Sequence, residues 1–192
     1  MTLDVRHADL NALMGEARRI AADVNTQYGA LSVEQLNWKP NAEAWSIGQN
    51  LDHIVTANAT YFATLADVAA GRKVAHGWER VPVLPGVTGR LMVWGLDPKA
   101  ARKMTAPQVF QPSQTDVPGD IVATFLQQQA ELLSYMERTR SERALKTVIT
   151  SPASSFVTYS VLDAYRIIIV HEQHHLVGVE RLAHLPPFPP TT

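Results

Sequence analysis

Four separated stretches of this 192-residue chain repeat their apolar residues at intervals of three and four, and that rhythm restricts the fold more than any other feature. A spacing of this kind lines one face of a helix with apolar side chains and leaves the opposite face for water. The first stretch, from about Asp9 to Tyr28, carries Leu10, Leu13, Ala17, Ile20, Ala21 and Val24, and Gly29 marks its end. The second opens at Trp45-Ser-Ile-Gly-Gln49, where Ser46 and Gln49 stand at capping-box spacing, and runs to about Ala70. The third follows Pro118 with Ile121, Phe125, Leu126, Leu132, Leu133 and Met136 on one face and ends near Arg140. The fourth begins with Ser160 and Asp163, again at capping spacing, and continues through Leu182 to stop before Pro186-Pro187.

The segments between these helices read differently. Leu31 to Pro40 opens with Ser32 and Gln35 at capping-box spacing and closes at a proline, which predicts a short helical turn. Glycine and proline are frequent from Gly71 to Gly119, where the only well-formed apolar piece is Gly89 to Leu96; this is expected to be a long connection with one short helix. Thr150 to Ser155 reads as a loop. The expected fold is therefore all-α, an antiparallel four-helix bundle with a long connection between helices two and three. One domain covers residues 1–192, with a short disordered proline-rich tail over 186–192.

Composition removes several function classes. There is no cysteine, so disulfides, thiolate ligands and a protein-borne thiol nucleophile are excluded. Seventeen basic residues are balanced by 18 acidic ones and scattered, which leaves no footprint for a nucleic acid partner. The apolar run Ile167 to Val170 falls far short of the roughly 20 residues of a membrane span. The start, MTLDVRHADLNAL, has no basic leader and no long apolar stretch, so a cytoplasmic location is expected.

The chemistry concentrates in His171-Glu-Gln-His-His175. Histidines four apart share one helical face and can converge on one metal ion, and this pair continues the apolar stripe of Ala164, Ile168 and Leu182. Buried imidazoles without partners cost on the order of 1–3 kcal/mol each, and coordination of a cation relieves that cost. His53, about two turns into helix two among Ile47, Leu51, Ile54 and Val55, offers a third nitrogen. Imidazole ligation suits zinc, nickel, copper or iron, and three ligands leave positions open for water or substrate. Surface or hydrogen-bonded core histidines remain the alternative. The string also contains His-Glu-x-x-His, the letters of a zinc protease, but only Glu180 follows at a spacing for its third ligand and strand signals are few.

Taken in order, Leu31-Ser-Val-Glu-Gln-Leu-Asn-Trp-Lys-Pro40, Trp45-Ser-Ile-Gly-Gln-Asn-Leu-Asp-His53 and His171-Glu-Gln-His-His-Leu-Val-Gly-Val-Glu-Arg-Leu182 resemble the DinB-like superfamily over most of Leu31 to Leu182. The resemblance implies a four-helix bundle, frequently dimeric, with a divalent transition metal (Zn, Ni or Fe) held by His53, His171 and His175. His174 matches no ligand position of that pattern. Some members resembling this fold are transferases or isomerases that use a low-molecular-weight thiol, so a metal-dependent thiol transferase acting on a small-molecule substrate is the first expectation, as a homodimer. A metal-dependent hydrolase and a non-catalytic metal- or ligand-binding dimeric module stand as alternatives.

Trp38 and Trp45 are expected to be core or staple residues at the start of helix two, and Trp78 and Trp94 to anchor the long connection or line the mouth of the site. His76 and His184 are expected to face solvent. Asn58 and Tyr61 point along the same cavity as His53 or make core hydrogen bonds.

Overall fold

The computed structural model describes residues 3–75, 77–81, 84–96, 116–185 and 188–189. Its helices are α1 (Leu10–Tyr28), α2 (Val33–Asn37), α3 (Ile47–Ala69), α4 (Leu84–Leu96), α5 (Ile121–Arg138), α6 (Glu142–Lys146) and α7 (Val161–Ala183). Strands β1 (Val148–Ser151) and β2 (Ser154–Ser160) lie between α6 and α7, and short 3-10 turns occupy Val5–His7 and Gly77–Arg80.

The four expected helices are α1, α3, α5 and α7. Helix α5 lies against both α1 and α3, and α7 lies against the same two, so the four enclose one core. Leu13, Ile20, Leu51, Ile54, Phe125, Leu132, Ala164 and Ile168 are buried within it. Each large apolar side chain taken from water contributes about 1.5–3 kcal/mol, so the bundle has a source of stability independent of any ion.

Helix starts follow the capping chemistry. Ser46 Oγ accepts from the Gln49 amide at 3.1 Å and Gln49 Oε1 accepts from the Ser46 amide at 3.2 Å; Ser32 and Gln35 do the same at α2. Ser160 Oγ accepts from the Asp163 amide at 3.0 Å. At the far end of α3 the chain turns through Gly71, whose φ of 68° suits a residue without Cβ.

Three expectations need correction. The fold is mostly helical but not all-α: β1 and β2 pair antiparallel, with Val148 opposite Ser160 and Ile149 opposite Tyr159, and a bulge between Thr150 and Ser151. Val148, Ile149, Thr150, Val157, Thr158 and Tyr159 are β-branched or aromatic, and the inward pair Ile149 and Tyr159 is fully buried. The helix in the connection begins at Leu84 rather than Gly89, and it lies on β2 and α7. Gly89 permits that approach, since a Cβ there would come within 3.0 Å of Asp163 Oδ2 and 3.1 Å of Tyr159 Cβ. Glu79 in the 3-10 turn before it pairs with Lys73 from the segment after α3 (2.6 Å), and Thr150 Oγ1 of β1 donates to Glu79 Oε1 at 2.9 Å, which ties the turn to the hairpin. Residues 97–115 of the connection lie outside the described residues.

The third correction concerns the tail. Phe188 packs edge-on against Trp38 with ring centres 5.4 Å apart, and Gln35 Nε2 donates to the Pro189 carbonyl at 3.0 Å, so at these two residues the tail is held. Residues 186–187 and 190–192 lie outside the described residues. Among the described residues, no helix is long and apolar enough to cross a membrane.

Candidate metal centre

The cap at Ser46 sets the phase of α3, and two turns later that phase directs His53 toward α7, where it meets His171 and His175. One ligand nitrogen from each of the three lies within 4.8 Å of the others. His53 Nε2 stands 3.1 Å from His171 Nε2, and the ring centres are 5.0 Å apart for His53–His171, 4.3 Å for His53–His175 and 4.6 Å for His171–His175. His53 is fully buried, whereas His171 and His175 keep part of their surface accessible. Among the described residues, this is the one cluster of three or more His, Asp or Glu side chains close enough to share an ion.

Burial first, and then the neighbouring imidazoles, disfavour protonation here: His171 is lowered to about 3 and His175 to about 2. Both rings are therefore neutral near physiological pH and carry lone pairs. Three converging imidazoles, two of them held neutral, are a donor set that fits a divalent transition metal.

Two residues at the site were not singled out for it by the sequence. Trp45, expected in the core or as a staple, is only partly buried; its ring is stacked on His175 (centres 6.0 Å apart, planes 11° apart) and lies 5.0 Å from His53. Asn50 Oδ1 faces His175 Nδ1 at 3.2 Å. Capping and periodicity mark the start of α3, which carries Asn50 and follows directly on Trp45, but a contact from there to α7 has no signature in either local segment.

The remaining candidates go elsewhere. His174 is partly buried with its ring 5.5 Å from that of His175, burial lowers its pKa, and its Nδ1 has no hydrogen-bond partner among the described residues. Glu172 is fully buried away from water: its Oε1 accepts from Asn58 Nδ2 at 2.8 Å and Gln129 Nε2 at 2.6 Å. That carboxylate is committed to two amides between α3, α5 and α7, unlike the solvent-facing base of a His-Glu-x-x-His protease. Asn58 and Tyr61 make core hydrogen bonds, Tyr61 with the Tyr159 hydroxyl at 2.9 Å. Trp78 is half exposed beside Phe156 (6.0 Å between centres), Trp94 is half exposed on α4, and His184 is exposed. His76 lies outside the described residues.

Comparison with known proteins bears on the family and the fold. The family model of the DinB superfamily matches residues 18–177. No curated protein matches the chain. Among solved structures, YfiT from Bacillus subtilis, described as "a probable metal-dependent hydrolase with an unusual four-helix bundle topology", is similar in fold with a TM-score of 0.56 at 10% sequence identity, over 91% of this chain and 85% of that one.

Proposed function

The chain belongs to the DinB superfamily, and from that footing we propose that it is a metal-dependent enzyme whose His53, His171 and His175 hold a divalent transition metal, zinc, nickel or iron, and whose substrate is a small molecule. The observation that carries this reading is the convergence of three imidazole nitrogens within 4.8 Å, two of them on rings that burial keeps neutral. A cation held by three protein ligands has room for an exogenous group and lowers the pKa of a thiol or water that occupies it.

The chain's own residues supply the rest. Trp45 forms a flat wall over His53 and His175, and the partial accessibility of His171 and His175 marks the side from which a substrate reaches the nitrogens. With no cysteine in the sequence, a thiol nucleophile has to be a separate small molecule. Group transfer to a low-molecular-weight thiol is the first reading, in a bundle of antiparallel helices that acts as a homodimer in the cytoplasm. Hydrolysis is the second, favoured by the description of YfiT.

The test is a panel of small thiols with electrophiles, and of ester and amide substrates, offered to metal-loaded protein. Metal-dependent consumption of thiol that is lost in His175→Ala supports transfer, and metal-dependent turnover without thiol supports hydrolysis. Turnover unaffected by exhaustive chelation refutes both.

A further inference from the structure

Asn50 stands three residues before His53 on α3 and is 8% exposed. Its amide has one possible orientation. Nδ2 lies 2.8 Å from the Ser46 carbonyl, and a carbonyl only accepts, so the NH2 group is the atom placed there. Oδ1 therefore faces His175 Nδ1 at 3.2 Å. An amide oxygen also only accepts, which requires the proton to be on Nδ1. A neutral imidazole carries one N–H, so the lone pair of His175 is on Nε2.

The other side of the ring is constrained as well. Trp45 lies nearly parallel to it, with 11° between planes, and limits rotation about the side chain. Ser46 links these contacts: its side chain caps α3, and its carbonyl holds the Asn50 amide. The start of α3, together with the residue before its cap, thus frames a side chain that belongs to α7.

We propose that Asn50 is a positioning residue for the metal centre, fixing the tautomer and orientation of His175 so that Nε2 is presented to the ion. This rests on the reading of the triad as a metal site. Hydrogen bonds of this kind to the distal nitrogen of a ligating histidine are worth about 10–100-fold in metal affinity.

The test reads the tautomer and the affinity separately. Long-range proton–nitrogen NMR on metal-free protein with labelled histidine should show His175 protonated on Nδ1 in the wild type. Asn50→Leu should populate the other tautomer and weaken zinc binding about 10–100-fold in competition with a chelating dye. Asn50→Asp keeps an acceptor toward Nδ1 but sets its second oxygen against the Ser46 carbonyl, so it should lose stability yet retain the Nδ1–H tautomer and bind zinc within a few fold of wild type. A merely structural role would lower the melting temperature of both variants and move neither readout. Wild-type His175 protonated on Nε2, or Asn50→Leu with unchanged tautomer and affinity, overturns the proposal. A wild-type chain that takes up no zinc overturns the metal-centre reading instead, and the two failures are told apart because the tautomer is read without metal.

Discussion

Replacing Glu172 with Gln should stabilise the metal-free protein, and by more in mild alkali than in mild acid. Burial raises the Glu172 carboxyl from 4.5 to about 7 despite the opposing hydrogen bonds from Gln129 and Asn58. Because the folded value lies above the unfolded one, the contribution to stability is complete below about 4.5 and is lost as pH rises through about 7. At about 1.4 kcal/mol per pKa unit the full loss is roughly 3 kcal/mol. Glutamine keeps an oxygen for the two amide donors. It also puts an NH2 group where Glu172 Oε2 now lacks a partner, while Gln129 Oε1, another buried acceptor without a partner among the described residues, can receive it. Urea unfolding of metal-free wild type and Glu172→Gln should therefore show a gain of about 3 kcal/mol at about pH 8 and roughly half that near pH 5.5, with equal m-values. The reasoning is refuted if the difference is the same at both pH values, or if the variant is the less stable protein at each.

Other outcomes follow from the same structure. Unfolded histidines take up protons near 6.5, whereas His171 and His175 resist until about 3 and about 2, so metal-free protein should lose stability as pH falls below about 6.5. Thermal melts of a His171→Ala, His175→Ala double variant should show a flatter acid limb. Gly48→Ala should destabilise by about 1–3 kcal/mol in urea, because the new Cβ would fall 2.1 Å from Val117 Cγ2, and adding Val117→Ala should recover part of the loss. Chelation should leave the circular dichroism helical at room temperature while the melting temperature falls, since an ion at 100-fold excess over its dissociation constant contributes about 2.7 kcal/mol.

Much of this architecture was legible in the sequence where local chemistry and tertiary demand agree. The apolar rhythm of α1, α3, α5 and α7, and the boxes Ser32/Gln35 and Ser46/Gln49, are satisfied within a few residues of the chain, and observed ends lie within about two residues of expectation. The three histidines were legible for the same reason: a His at a core position of an amphipathic helix is conspicuous, and two such helices suffice to pair them. The hairpin is harder to read: Val148-Ile-Thr and Val157-Thr-Tyr carry a strand signal, but the intervening Ser and Pro outweigh runs of only a few residues. The prolines of the tail predict a loose segment, yet Phe188 finds Trp38, a partner 150 positions earlier. Asn50 and Trp45 stayed hidden as site residues because their roles exist only once α7 lies against α3. Glu172 carries the letters of a protease base, and only the positions of Asn58 and Gln129 show where its carboxylate goes.

The central claim is that three histidines from α3 and α7 hold one ion. Elemental analysis of protein purified without a histidine tag tests it most directly, comparing wild type with the His53→Ala, His171→Ala double variant after equilibration with zinc and removal of loosely bound ion. The expected result is close to one divalent ion per wild-type chain and almost none in the folded variant, because one remaining imidazole cannot hold the ion alone. A wild type without metal, or a variant that retains the full complement, would contradict the account.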